Sequence, residues 1–212
     1  MGRHLTDDRR TLATSAVRLA PRLLGAVVTS EVGGQTVAIR LTEVEAYEGA
    51  ADPASHAFRG PTTRTAVMFG PPGHLYCYFS YGMHWCANVV CGVDGTAAAV
   101  LLRAGRVIDG LDAARARRPA ARRDVDLARG PARLAGCLAL GSATNGVDLL
   151  DDSSQVRLTG VRSRRLTGVV AGPRVGISVA TQAPWRFWLA GDPTVSSFKA
   201  GGRRRRGAGP AD

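Results

Sequence analysis

LTEVEAY at 41–47, LYCYFSY at 75–81, HWCANVVC at 84–91 and TAAAVLLRAGRV at 96–107 are short apolar or alternating runs, rich in aromatic and β-branched residues. Turn formers bound each run, which is the pattern of strands rather than helices. The second and third runs join near Gly82, and the third and fourth at Asp94-Gly95, so they read as successive antiparallel strands. Working upstream, AVVTSEVGGQTVAIRLTEVEAY (26–47) reads as a hairpin around Gly33-Gly34. Between the two groups, residues 48–73 carry Pro53, Gly60, Pro61, Gly70, Pro71, Pro72 and Gly73, and read as a long loop.

Leu12, Ala16, Leu19, Leu23 and Leu24 recur close to helical spacing and predict a helix over 9–25, stopped by Gly25 and bent or divided by Pro21. The stretch 108–140, with Ala, Leu and Arg in excess, predicts further helix with a break at Gly130-Pro131. Residues 147–160 read as an acidic turn and strand, and GPRVGISVA (172–180) and WRFWLAG (185–191) as two more strands. The expected fold is therefore α+β, a single domain over residues 1–200 with an antiparallel-rich, curved β-sheet core and surrounding helices. GGRRRRGAGPAD (201–212) has no core-forming residue and predicts a disordered tail. No internal repeat is present.

With 212 residues and 45% apolar content, the chain has the composition of a soluble globule. Arg, Pro or Gly interrupts every apolar run before the roughly 18–20 residues of a membrane span. MGRHLTDDRRTL lacks the apolar core of an export signal, so the expected compartment is the cytoplasm, with no membrane association. Cys77, Cys86, Cys91 and Cys137 form no C-x-x-C pair and read as buried thiols of a reducing compartment. His4, His56, His74 and His84 have no H-x-x-x-H spacing, so neither a metal site nor a cofactor is expected. The net charge of +11 is uneven: residues 1–100 balance eight bases against eight acids, while 101–135 hold nine Arg against four acids. Of 28 basic residues, 27 are Arg, which favours a polyphosphate partner because the guanidinium fork matches phosphate oxygens. A compositional bias towards Arg would leave the same trace.

Strand alternation in LTEVEAY puts Glu43, Glu45 and Tyr47 on one face, with Leu41, Val44 and Ala46 elsewhere. Two acids on a strand face also describe a solvated edge. Here apolar residues flank them and an aromatic-rich segment follows, so a partly buried carboxylate able to act as general base fits better. Tyr76 and Tyr78 share a face of LYCYFSY, and Tyr81 has the other parity at the turn. Strand aromatics are commonly core, but phenol hydroxyls need polar company. A carboxylate among aromatic faces suits holding a flat, electron-poor ring while water attacks the atom beside it.

The runs compose a longer match. ExEAY-x8-H from Glu43, MFGPPGHLYxYxxYGMxxCxN from Met68 and AVLLRA from Ala99 resemble the alkyladenine (3-methyladenine) DNA glycosylase family. GPARL (130–134), PRVGI (173–177), RF (186–187) and VS (195–196) extend the resemblance over roughly residues 12–198. It implies a monofunctional glycosylase, acting as a monomer on double-stranded DNA that contains alkylated or deaminated purines. By the same resemblance Glu45 activates the hydrolytic water, with Arg103 and the Val175 carbonyl as its other partners. Tyr47, His56 and Tyr78 enclose the extruded base, and Asn88 discriminates against guanine. Tyr81 fills the vacated space in the duplex, with Met83, Tyr76 and Arg64 among the DNA contacts.

Thr65 stands where the family often has Asn, and His84 and Trp85 replace other aromatics, which bears on lesion preference more than on activity. Glu43 is expected to be structural. Lys199 is the only lysine, which argues against Schiff-base lyase chemistry. Two other classes compete: a non-catalytic nucleic-acid-binding module, which has no need of Glu45, and a zinc nucleobase deaminase, whose H-x-E and P-C-x-x-C signature is missing.

Overall fold

The computed structural model describes residues 9–201, so the expected disordered tail lies, from residue 202 on, outside the described residues. One long strand, β2 (Val37–Tyr47), organises the chain. Along one edge it pairs with β5 (Ala98–Asp109), which continues to β4 (His84–Cys91) and β3 (Leu75–Ser80). Its other edge is divided. Val37–Arg40 bonds β1 (Val27–Ser30), which leads to β6 (Val156–Thr159), whereas Glu43–Glu45 bonds β8 (Arg186–Leu189), followed by β7 (Val169–Gly172). Every pairing is antiparallel, and the eight strands make one curved sheet of an α+β domain.

The changeover on β2 coincides with register shifts between Leu41 and Val44, a β-bulge. Val37, Ile39 and Leu41 enter the main core, and so do Val44 and Ala46, although their parity differs. Uninterrupted alternation would have put Leu41 on the face of Glu43. The bulge instead sends Leu41 into the core and turns both acids to the opposite side. Gly105 lies across from Leu41, where an added Cβ would sit 2.4 Å from Ile39 Cγ2 and 2.5 Å from the Arg40 carbonyl oxygen. The close approach of the strands at the bulge therefore requires glycine.

The core face is covered by α2 (Ala16–Leu23) and α4 (Pro131–Cys137), with α1 (Arg9–Leu12) and α3 (Leu111–Arg117) at its margins. The helix expected over 9–25 is two. Ser15 accepts the Arg18 N–H at 3.3 Å and caps a new helix, while Pro21 stays inside α2. Likewise, 108–140 holds only two short α-helices, and turns with one 3-10 helix at Asp124–Asp126 occupy 118–130. Pro119 disfavours helical geometry at Arg118, and the Arg115–Asp124 and Arg123–Asp126 pairs fasten the turns that follow. GPRVGISVA is not a strand beyond Gly172; residues 173–180 leave the sheet because the Arg174 side chain is anchored elsewhere. The hairpin around Gly33-Gly34, the loop over 48–73 and the WRFWL strand match expectation. All four cysteines are buried and free, and among the described residues no helix is long and apolar enough to cross a membrane.

Candidate active site

Five residues lie directly opposite one another across the face turned away from α2: Tyr76 on β3, Asn88 on β4, Leu101 on β5, Glu45 on β2 and Arg186 on β8. Alternation sets this row. On β5, Ala98, Val100 and Leu102 belong to the main core, so Ala99, Leu101 and Arg103 face the other way. Above the row the loops carrying His56, Arg64 and Val175 close a cavity of about 390 Å³. That is within the range of roughly 300–1,000 Å³ for small-molecule sites.

Glu45 lies at the base of this cavity and is fully buried. One oxygen accepts the Val175 N–H at 2.7 Å, the other accepts the Tyr47 hydroxyl at 2.9 Å, and Arg103 Nη1 stands 3.4 Å away. Burial pushes the carboxyl above the ordinary glutamate range, and the charge on Glu43 adds to it. Arg103, the Val175 amide and Tyr47 pull the other way. Burial also holds the Tyr47 phenol well above its usual value, with the Glu45 charge reinforcing it, so this hydroxyl stays a donor. For Arg103, burial disfavours the charge, but Glu45 and Glu43 outweigh it and keep the guanidinium ionised.

Glu43, two positions earlier on the same face, is equally buried and has a different set of partners. Its Oε1 accepts Arg103 Nε at 2.9 Å, Arg186 Nε at 2.6 Å and the Ser196 hydroxyl at 2.9 Å, and its Oε2 accepts the Ser196 N–H at 2.7 Å. The carboxylate is thereby enclosed on every side by donors. A second buried pair, Arg174–Asp52, is bidentate at 2.5 and 2.9 Å, and Arg174 also donates to the Ala46 carbonyl. Its guanidinium stacks over Tyr47 at 4.6 Å and over Trp185 at 5.0 Å, so it fixes the ring beside Glu45 while setting the backbone of Val175.

The wall opposite Glu45 is aromatic. His56 meets Tyr78 edge to face at 4.5 Å, Tyr78 stacks on Tyr76 at 5.7 Å, and His56 Nδ1 is 3.2 Å from the Tyr76 hydroxyl. Although part of its ring remains solvent-exposed, burial and then the nearby Arg64 lower His56 to about 4, so the imidazole is neutral at physiological pH. Asn88 donates its amide to the Tyr76 carbonyl at 3.1 Å, which fixes its orientation at the cavity floor.

At the rim, Ser80 O accepts the Met83 N–H, and Tyr81 and Gly82 both adopt positive φ, +50° and +65°, as the central pair of a type I′ hairpin turn does. Tyr81 is 87% exposed and Met83 65%. A tyrosine at positive φ stores backbone strain, a frequent mark of a functional position. Tyr76, expected among the DNA contacts, is 1% exposed and lines the cavity. Val175 meets Glu45 through its N–H, whereas the resemblance implied its carbonyl as a partner of the water. Thr65 is buried and bonds Thr62 at 2.9 Å, Trp85 packs on Phe79, and His84 is exposed. The segments holding Arg174, Arg186 and Ser196 were visible as matching motifs, but nothing in their spacing pairs residue 43 with residue 196 or residue 52 with residue 174.

The family model for Methylpurine-DNA glycosylase matches residues 10–193. Similar relatives include proteins named as 3-methyladenine DNA glycosylases from Nocardia farcinica (53% identical, covering 85% of each chain) and Streptomyces avermitilis (48% identical, covering 93% of this chain and 94% of the relative). A third, from Frankia casuarinae, carries the same name and is 52% identical over 89% of both chains. With a buried carboxylate facing an aromatic cavity and a match over nearly all the described residues, the chain belongs to the methylpurine-DNA glycosylase family, DNA-acting hydrolases of the N-glycosyl bond.

Proposed function

We propose that the protein excises 3-methyladenine and related alkylated purines by extruding the nucleotide into the cavity and hydrolysing its N-glycosidic bond. The observation that carries this reading is Glu45: a fully buried carboxylate, fixed through both oxygens, facing a cavity walled by Tyr47, Tyr78 and His56. Alkylation at N3 or N7 gives the purine a positive charge. That makes it a good leaving group and draws it to aromatic faces, where cation–π contact contributes about 0.5–2 kcal/mol. Extrusion costs a few kcal/mol and costs least for a weakly paired lesion, so damage itself contributes selectivity. Tyr81, strained and exposed at the hairpin tip, offsets part of that cost by restacking the duplex it enters, with Met83 and Arg64 beside it.

As the bond lengthens, positive charge develops on the sugar. Glu45 stabilises it and takes a proton from the attacking water, which Arg103 helps to position. Neutral His56 suits a cavity that receives a cationic base, since a second positive charge there would repel it. Without a lysine in the cavity the expected product is free base and an intact abasic strand. Residues 1–200 act as one domain, and the chain works as a monomer. Duplex DNA carrying one 3-methyladenine provides the test: free base should appear with no strand cleavage, and Glu45→Gln should bind the lesion yet release nothing. Near-normal release by that variant would remove Glu45 from the chemistry.

A further inference from the structure

Arg103 stands between two carboxylates and treats them unequally. Its Nε donates to Glu43 at 2.9 Å and its Nη2 to Ser196 Oγ at 3.2 Å, while Nη1 reaches Glu45 only at 3.4 Å. The two-pronged edge of a guanidinium that would match a carboxylate is thus turned to Glu43 and Ser196. From Arg103, Glu45 receives only this one longer contact, beside the Val175 N–H on one oxygen and the Tyr47 hydroxyl on the other, and its carboxylate lines the cavity. Glu43 is in turn held by Arg186 and the Ser196 amide, so it cannot follow Arg103 towards the cavity.

We propose that Glu43 is a positioning residue that holds the Arg103 fork away from Glu45, preventing a closed ion pair and leaving the Glu45 carboxylate open to water. The inference rests on the reading of Glu45 as the group that activates water. A bidentate Arg103–Glu45 pair would be the favoured arrangement for two buried opposite charges with no competitor, and it would occupy the oxygens that the reaction needs. The sequence ExE therefore has a division of labour: the first acid engages the cation, and the second is kept available. The charged and titratable groups facing Glu45 are Glu43 and Tyr47 on β2, Arg103 on β5, Tyr78 on β3 and Arg186 opposite on β8. Of these, Glu43 and Arg103 are the pair whose balance the substitution changes. Removing the Glu43 charge takes away a repulsion that holds the Glu45 carboxyl up, and gives Arg103 a single carboxylate to serve. Both effects favour ionised Glu45.

The test compares Glu43→Gln, Ser196→Ala and Glu45→Gln by single-turnover base release from lesion duplex across pH, alongside lesion-DNA affinity and thermal melting. Glu43→Gln should slow release by about 100-fold at neutral pH, the scale of a misplacement of about 1 Å at a reacting group. Its acid limb should move to lower pH, with lesion affinity kept. Ser196→Ala, which frees Nη2 but leaves all charges, should slow release by roughly tenfold without moving the limb. An unchanged rate and limb in Glu43→Gln would overturn the proposal, as would a limb moved to higher pH, which would mean that Arg103 leaves Glu45 rather than closing on it. If Glu43→Gln does not fold, a wild-type rate in Ser196→Ala overturns it. Glu45→Gln separates the two readings: activity there removes the role of Glu45 itself, whereas an inactive Glu45→Gln beside an unaffected Glu43→Gln sinks only the positioning role.

Discussion

Glu45 combines an energetic cost with the chemical use proposed for it. Its folded carboxyl titrates above the ordinary glutamate value of 4.5 because it is buried, so the ionised form accumulates only as pH rises through that raised value. Base release should therefore show an acid limb lying above 4.5, measured as the pH dependence of the single-turnover rate. The sign for stability is opposite. A folded state that favours the protonated acid is stabilised below the unfolded value and loses that contribution as pH rises through the folded one. At neutral pH the charge is a liability, and Glu45→Gln should raise the melting temperature by about 2–4 °C if it recovers about 1 kcal/mol. The amide fits, with its oxygen on the Val175 N–H and its NH₂ on the Tyr47 hydroxyl. A lower melting temperature would show that the ionised acid is net stabilising where it stands. Glu45, Tyr47 and Tyr78 were legible in the sequence because their motif is contiguous and alternates. Ser196, Arg186 and the Arg174–Asp52 pair were not, because a side chain that meets its partner across more than a hundred residues leaves no local period.

Among the elements, β2 and the β3–β4 hairpin carry the design. The bulge at 41–43 lets one strand serve a hydrophobic core with Leu41 and a polar site with Glu43, and it depends on the bare backbone of Gly105. Gly105→Ala should lower stability by about 1–3 kcal/mol through overpacking, with denaturant unfolding as the measure. At the hairpin tip the conflict lies between backbone and function. Tyr81→Gly should stabilise the free protein by about 1 kcal/mol by relieving a positive φ, yet weaken binding to lesion duplex. A variant with unchanged lesion affinity would count against the wedge. Strand order and the hairpins could be read from turn residues and period-two runs. The bulge is marked only by the change of parity between Leu41 and Val44, which a period-two scan of LTEVEAY does not locate. The strand expected at 172–180 failed for a related reason: its apolar pattern is genuine, but a single buried arginine redirects the backbone.

The whole molecule is a cation of +11, and all of that excess lies beyond residue 100. Affinity for undamaged duplex should fall steeply with salt, with log K dropping by about 0.9 per log unit of salt for each phosphate contacted. Deleting residues 201–212, which hold four arginines, should flatten that slope while leaving the melting temperature and the single-turnover rate on lesion DNA unaltered. Loss of folding on deletion would give the segment a different role. The divided edge of β2 has a consequence of another kind. The first half of the strand finds β1 a few residues away, but Glu43 and Glu45 wait for β8 and for Ser196, near the end of the described residues. A nascent polypeptide emerging from the ribosome thus holds Glu45 long before it holds the strand and loops that bury and bond it. If Glu45 activates water as proposed, a copy interrupted before β8 lacks the setting on which that activity depends.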